Sequence, residues 1–210
     1  MPERNTHHPV PWLSVIGVGE EGLEGLSSTA RSLIAQAEYV FGGARHLALV
    51  ASLPQGICTA WPTPFSEGVR QVLSLRGRPV VVLASGDPFF YGVGGVLARH
   101  LGGEEMLCLP TVSSVTLACA RLGWAREQCH VVSVCGRPVA RVRPFLQPQA
   151  RLFVLSADAA PPRQLSDWLV GLGPGVVPCH SLEALGGAGA RCRSFLAEAG
   201  PPPSPAYTSY

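Results

Sequence analysis

Two loops hold the residues best placed for chemistry. Ser85-Gly86-Asp87-Pro88-Phe89-Phe90-Tyr91-Gly92 sets one carboxylate between a glycine and a proline, followed by three aromatics. Gly86 lets backbone approach a ligand closely, and Pro88 fixes the turn after Asp87. The segment therefore reads as a binding loop built from backbone groups and one negative charge. It reads equally as a strand-to-helix turn with Asp87 as N-cap. The second loop, Gly17-Val18-Gly19-Glu20-Glu21-Gly22, is a literal G-x-G-x-x-G, by itself a weak dinucleotide signal. That fingerprint also wants an acid at the end of the second strand. Gly42-Gly43 stand there instead, with Glu38 at the wrong end. Arg45 could meet a 2′-phosphate, which leaves an NADP-dependent oxidoreductase open. Glu20 and Glu21 would oppose a pyrophosphate, so a phosphate-free ligand with a cationic centre suits this loop better.

The elements that must carry these loops follow from hydrophobic patterning. Pro79 to Ala84 is a continuous apolar, β-branched run, typical of a parallel strand buried on both faces, and ligands sit at the carboxyl ends of such strands. Trp12 to Val18, Glu38 to Phe41 and Met106 to Leu109 read as further strands. Helices are expected from Ser27 (a cap) to about Ala37, Arg45–Ala51, Ser66–Leu75 and Gly92–Leu101. Pro110-Thr111-Val112-Ser113-Ser114 is a turn and hinge opening a helix from Val115 to Leu122. Beyond it, His130–Cys135, Leu152–Leu155 and Val176–Cys179 read as strands and Pro162–Leu172 as a helix. The expected domains are a flexible terminus at 1–10, an α/β domain at 11–110, a second at 111–198, and a Pro-rich tail at 199–210.

Bulk composition narrows the classes. With 14% charged residues and positive mean hydropathy, the 210-residue chain can bury real cores. Net charge is +2 without a basic run, which gives nucleic acid no support. All sixteen basic residues are Arg, as GC-rich coding produces; a few could act as forks for carboxylates. Seven cysteines and six histidines are scattered without metal spacing. No signal peptide or membrane-length apolar run is visible, so a cytoplasmic protein is expected.

S-adenosylmethionine is a phosphate-free ligand with a cationic sulfonium. Leu13-Ser14-Val15-Ile16-Gly17-Val18-Gly19 with Leu26-Ser27, Ser85-Gly86-Asp87-Pro88 with Tyr91-Gly92, and Pro110-Thr111-Val112-Ser113-Ser114 before Ala118–Trp124 together resemble the tetrapyrrole methylases, the class III S-adenosylmethionine-dependent methyltransferases. Gly42–Leu47 and Gly136-Arg137-Pro138 resemble the branch that methylates C5, or C5 and C15, of late precorrins in cobalamin biosynthesis. The resemblance runs from about Trp12 to Phe195. Cys135 stands where His is expected, and Ala190 where an acid precedes Arg191. A non-catalytic cofactor-binding homologue therefore stays open.

The resemblance implies two small α/β domains with the methyl donor in a cleft between them. Gly17, Gly19, Gly86, Asp87, Phe90, Ser114, Val115, Leu155 and Ser156 become cofactor-binding candidates. Arg45 and Arg137, then Arg141 and Arg143, become candidates for the substrate's carboxylates. His46 and Tyr91 are candidates for proton movement at the substrate. No metal and no general base is implied. A homodimer is expected, as is a partner domain or protein for C15 methylation and decarboxylation.

Overall fold

The computed structural model describes residues 11–157, 160–173 and 176–203. The expected flexible start at 1–10 and most of the Pro-rich tail lie outside them. Contacts divide the chain into two compact units, with the break after Ser113.

The first unit is a five-stranded parallel sheet in the order β3-β2-β4-β1-β5. Its strands are β1 (Leu13–Val18), β2 (Tyr39–Gly42), β3 (Ile57–Ala60), β4 (Val80–Ser85) and β5 (Met106–Leu109). Helices α1 (Ser28–Gln36), α2 (Ala44–Leu49), α3 (Phe65–Ser74) and α4 (Gly94–Leu97) connect them. All six residues of β1 are buried, as are five of the six in β4. The sheet separates two apolar layers. One gathers Ile16, Val18, Ile34, Val40 and Leu83. The other gathers Leu13, Val15, Phe41, Val72, Val82 and Leu97. Each fully buried aliphatic of this size is worth about 1.5–3 kcal/mol, so β1 and β4 form the unit's rigid centre.

Two expectations for this unit needed revision. The helix expected over Gly92–Leu101 is one α-turn, Gly94–Leu97, continued by tighter i→i+3 bonds at Arg99 and His100. A start built from Gly92, Gly94 and Gly95 has too little helix propensity to extend it. β3 is an additional edge strand, absent from the sequence reading.

The second unit contains α5 (Ser114–Leu122), β6 (Cys129–Ser133), β7 (Arg151–Leu155), α6 (Ala160–Gly171), β8 (Pro178–Glu183) and β9 (Arg191–Leu196). β6 and β7 pair in parallel, and β8 and β9 form an antiparallel hairpin. Trp124 packs on Phe153 and His180.

Candidate functional site

The register between β1 and β4 places Val18 beside Ser85, so both chemistry-bearing loops leave the sheet side by side at its carboxyl edge. The β5 neighbour of β1 ends there too. The carbonyl oxygen of Gly86 accepts the Thr111 N–H at 2.9 Å and faces the Thr111 hydroxyl at 3.3 Å. Gly86 itself has φ +52°, the left-handed region that glycine enters without penalty. A Cβ on Gly17 would lie 1.8 Å from the Gly86 oxygen and 2.8 Å from the Thr111 nitrogen. Gly17 therefore admits neighbouring backbone, and the three strand ends form one knot.

Asp87 follows this knot and is half-buried. Its Oδ1 accepts the Phe89 N–H at 2.9 Å, while its carbonyl accepts the Phe90 N–H at 3.0 Å. One carboxylate oxygen thus shapes the loop. Asp87 also acts on β5: the Cys108 thiol is pushed up by burial first and by the Asp87 charge second. Phe90 meets the Tyr91 ring edge-to-face at 5.1 Å.

The G-x-G-x-x-G loop opens only a four-residue 3-10 turn, Gly22–Gly25; α1 begins later, capped by the Ser27 side chain on Ala30 N–H at 3.2 Å. A dinucleotide fingerprint needs the glycine loop to open the helix whose N-terminus receives the pyrophosphate. Glu21 and Glu24 line a cavity here with Gly19, Gly25, Thr111 and Val112, a lining that favours a cation over an anion. Arg45 is engaged in an ion pair with Glu20. A nicotinamide dinucleotide fits this donor set poorly. A sulfonium- and ammonium-bearing ligand fits it.

His46, one residue on, is hydrogen-bonded through Nε2 to Ser85 Oγ at 2.8 Å, and its Nδ1 is buried without a partner. Burial, then the adjacent Arg45 charge, lowers its pKa to about 4. The imidazole is neutral at physiological pH, pinned beneath the end of β4. Gly17, Gly19, Arg45, His46, Gly86, Asp87, Phe90 and Tyr91 thus all lie at or just past the carboxyl ends of β1, β2 and β4, at one edge of one sheet. Gly17 is still in β1, and Arg45 and His46 are in α2.

The second unit carries the remaining candidates. Ser114 begins α5 and Val115 is buried on it. Leu155 ends β7, and its carbonyl accepts the Val134 N–H at 2.9 Å and the Cys135 thiol at 3.6 Å; Ser156 follows. Arg137 is exposed in the turn after β6, where its N–H reaches the Val134 carbonyl at 3.1 Å. Arg141 and Arg143 lie in the 3-10 segment Val139–Phe145. Sequence reasoning did not single out Thr111, Ser85 or Glu24. The available signal was position, since Ser85 and Thr111 stand where β4 and β5 end. Among the described residues, no group of three His, Cys, Asp or Glu could hold a metal ion, and no helix is long and apolar enough to cross a membrane.

A parallel α/β unit with its loop cluster at the carboxyl ends of β1, β4 and β5 defines a ligand-binding α/β protein of the strand-end class. The chain belongs to the tetrapyrrole (corrin/porphyrin) methylases, whose family pattern matches residues 13–189. It is 51% identical over 187 residues to a precorrin-6Y C(5,15)-methyltransferase (decarboxylating) from Sinorhizobium sp., covering 89% of this chain and 45% of that protein. The chain thus spans about half the length of that relative. A cobalt-precorrin-7 C(5)-methyltransferase of Salmonella typhimurium is 30% identical over 174 residues, covering 83% of each chain. In structure, the chain is similar to uroporphyrin-III C-methyl transferase from Thermus thermophilus complexed with S-adenyl homocysteine. There the TM-score is 0.65 and the identity 25%, over 89% of this chain and 88% of that one.

Proposed function

We propose that this chain is an S-adenosylmethionine-dependent C-methyltransferase acting on C5 of a late precorrin in cobalamin biosynthesis. The observation that carries the reading is the acid-lined, phosphate-averse loop cluster at the ends of β1, β4 and β5 in a chain of this family. C5 is favoured because the Salmonella relative, matched over most of its length, is named for C5 alone. The C15 step and decarboxylation in the name of the longer relative would belong to a partner domain or protein. A cytoplasmic homodimer completes the proposal.

When bound, S-adenosylmethionine supplies an already activated methyl group, which leaves the protein the tasks of alignment and water exclusion. Asp87 and the backbone around Gly19 and Gly86 would hold the donor, with Phe90 against it. Ser114, Val115, Leu155 and Ser156 are the second unit's candidates for the same ligand. Arg45 and Arg137 would receive substrate carboxylates, Arg45 by exchanging its bond to Glu20. His46, neutral and tied to Ser85, would position the β4 loop.

Calorimetry with S-adenosylhomocysteine and with NADPH tests the donor. Binding of the first alone is expected, and tight binding of NADPH alone overturns the reading. Transfer of one labelled methyl group to a late precorrin separates an enzyme from a non-catalytic homologue.

A further inference from the structure

Phe89 and Tyr91 are large apolar side chains, yet they remain 50% and 54% exposed one residue apart. Tyr91 also has φ +56°, a region that a bulky L-residue enters only at an energetic cost. The loop is not loose. Asp87 Oδ1 holds the Phe89 N–H, the Asp87 carbonyl holds the Phe90 N–H, and the Pro88 carbonyl accepts the Gly94 N–H at 2.9 Å. Phe90 braces the Tyr91 ring edge-to-face. A strained backbone thus presents two aromatic side chains to solvent from a fixed loop directly after Asp87. Glycine at position 91 would satisfy the backbone and leave less apolar surface in water.

Resting on the function proposed above, we infer that Phe89 and Tyr91 are a stacking platform for the face of a conjugated tetrapyrrole, holding the macrocycle beside the donor loop. Flat π-systems stack on aromatic side chains whatever their peripheral groups, so the platform orients the ring while arginines read its carboxylates. Tyr91 then acts through its ring and not through its hydroxyl.

Uroporphyrin III, a fluorescent octacarboxylate, is the probe for the full chain. Its fluorescence is titrated against wild type, Phe89→Ala, Tyr91→Gly and Tyr91→Phe, alongside S-adenosylhomocysteine calorimetry and thermal unfolding. The platform predicts porphyrin affinity falling about tenfold in Tyr91→Gly and in Phe89→Ala. It also predicts unchanged S-adenosylhomocysteine affinity, an equal or higher Tm for Tyr91→Gly, and near-wild-type behaviour of Tyr91→Phe. Undiminished porphyrin binding in Tyr91→Gly and Phe89→Ala overturns it, as does a loss in Tyr91→Phe matching that in Tyr91→Gly. A wild type that binds S-adenosylhomocysteine but no porphyrin sinks the platform and spares the methyl-donor assignment. A wild type that binds neither sinks both.

Discussion

The carbonyl oxygen of Gly86 occupies the space that a side chain on Gly17 would need, 1.8 Å from where its Cβ would lie. The end of β1 and the loop leaving β4 are therefore in backbone contact, and that oxygen is also the acceptor for Thr111. The smallest possible side chain at position 17 would have to separate strands that are paired along their whole length.

Gly17→Ala is accordingly expected to destabilise the first unit by on the order of 3 kcal/mol, at the upper end of overpacking costs. It should also abolish S-adenosylhomocysteine binding. Urea unfolding with parallel calorimetry checks both; a variant of wild-type stability would contradict the contact.

Asp87 does two things that different substitutions separate. Asp87→Ala removes the acceptor for Phe89 N–H and the charge, and should weaken S-adenosylhomocysteine binding about tenfold or more. Asp87→Asn keeps an acceptor oxygen for the turn. If charge is what the ligand reads, Asn loses most of the affinity while unfolding at the wild-type temperature.

His46 gives the stability a pH signature. Its folded pKa of about 4 lies below the ordinary histidine value of 6.5, so the unfolded chain binds more protons between those values. The contribution is fully present above about pH 6.5, falls as pH drops, and is gone just below pH 4. Its size is about 3 kcal/mol. Chemical denaturation from pH 4 to 7 should show this slope, flattened in His46→Gln.

In the second unit, Arg193 Nη2 donates to the Glu183 carboxylate oxygens at 3.0 and 3.3 Å, and Glu183 is only 7% exposed. Glu183→Ala leaves that guanidinium without its carboxylate and should cost about 2–3 kcal/mol. Glu183→Gln, which retains an acceptor, should cost less. Thermal unfolding of both variants reads the difference.

Buried strands with strong patterns were legible in the sequence, and elements stabilised by context were not. Val80–Ser85 declares itself because both of its faces are covered. β3 does not, since it is an edge strand with Ile57 60% exposed and no alternation to read. β9 carries arginines at positions 191 and 193, paired across the hairpin with Glu183 and Ser181 on the same face. Its strand character comes from pairing with β8, which single-residue propensity does not register. At the site, Asp87 and the glycine loop were visible as motifs. That Gly17 makes room for Gly86 was not, because the two meet only through sheet register. Nor was the engagement of Arg45 with Glu20 or of His46 with Ser85, both made across loops distant in sequence.

The strand order has a consequence for synthesis. β1 has an almost wholly apolar sequence and precedes its partners by a long stretch of chain, since β4 and β5 begin only at Val80 and Met106. At about 5–20 residues per second, the nascent chain would wait roughly 3–12 s between completing β1 and starting the first strand that can cover it. During that interval Leu13–Val18 is an unpaired hydrophobic segment at the ribosome, and parallel pairings of such long sequence separation form slowly. The arrangement that makes the strand ends rigid in the finished protein leaves its newborn form dependent on protection from aggregation.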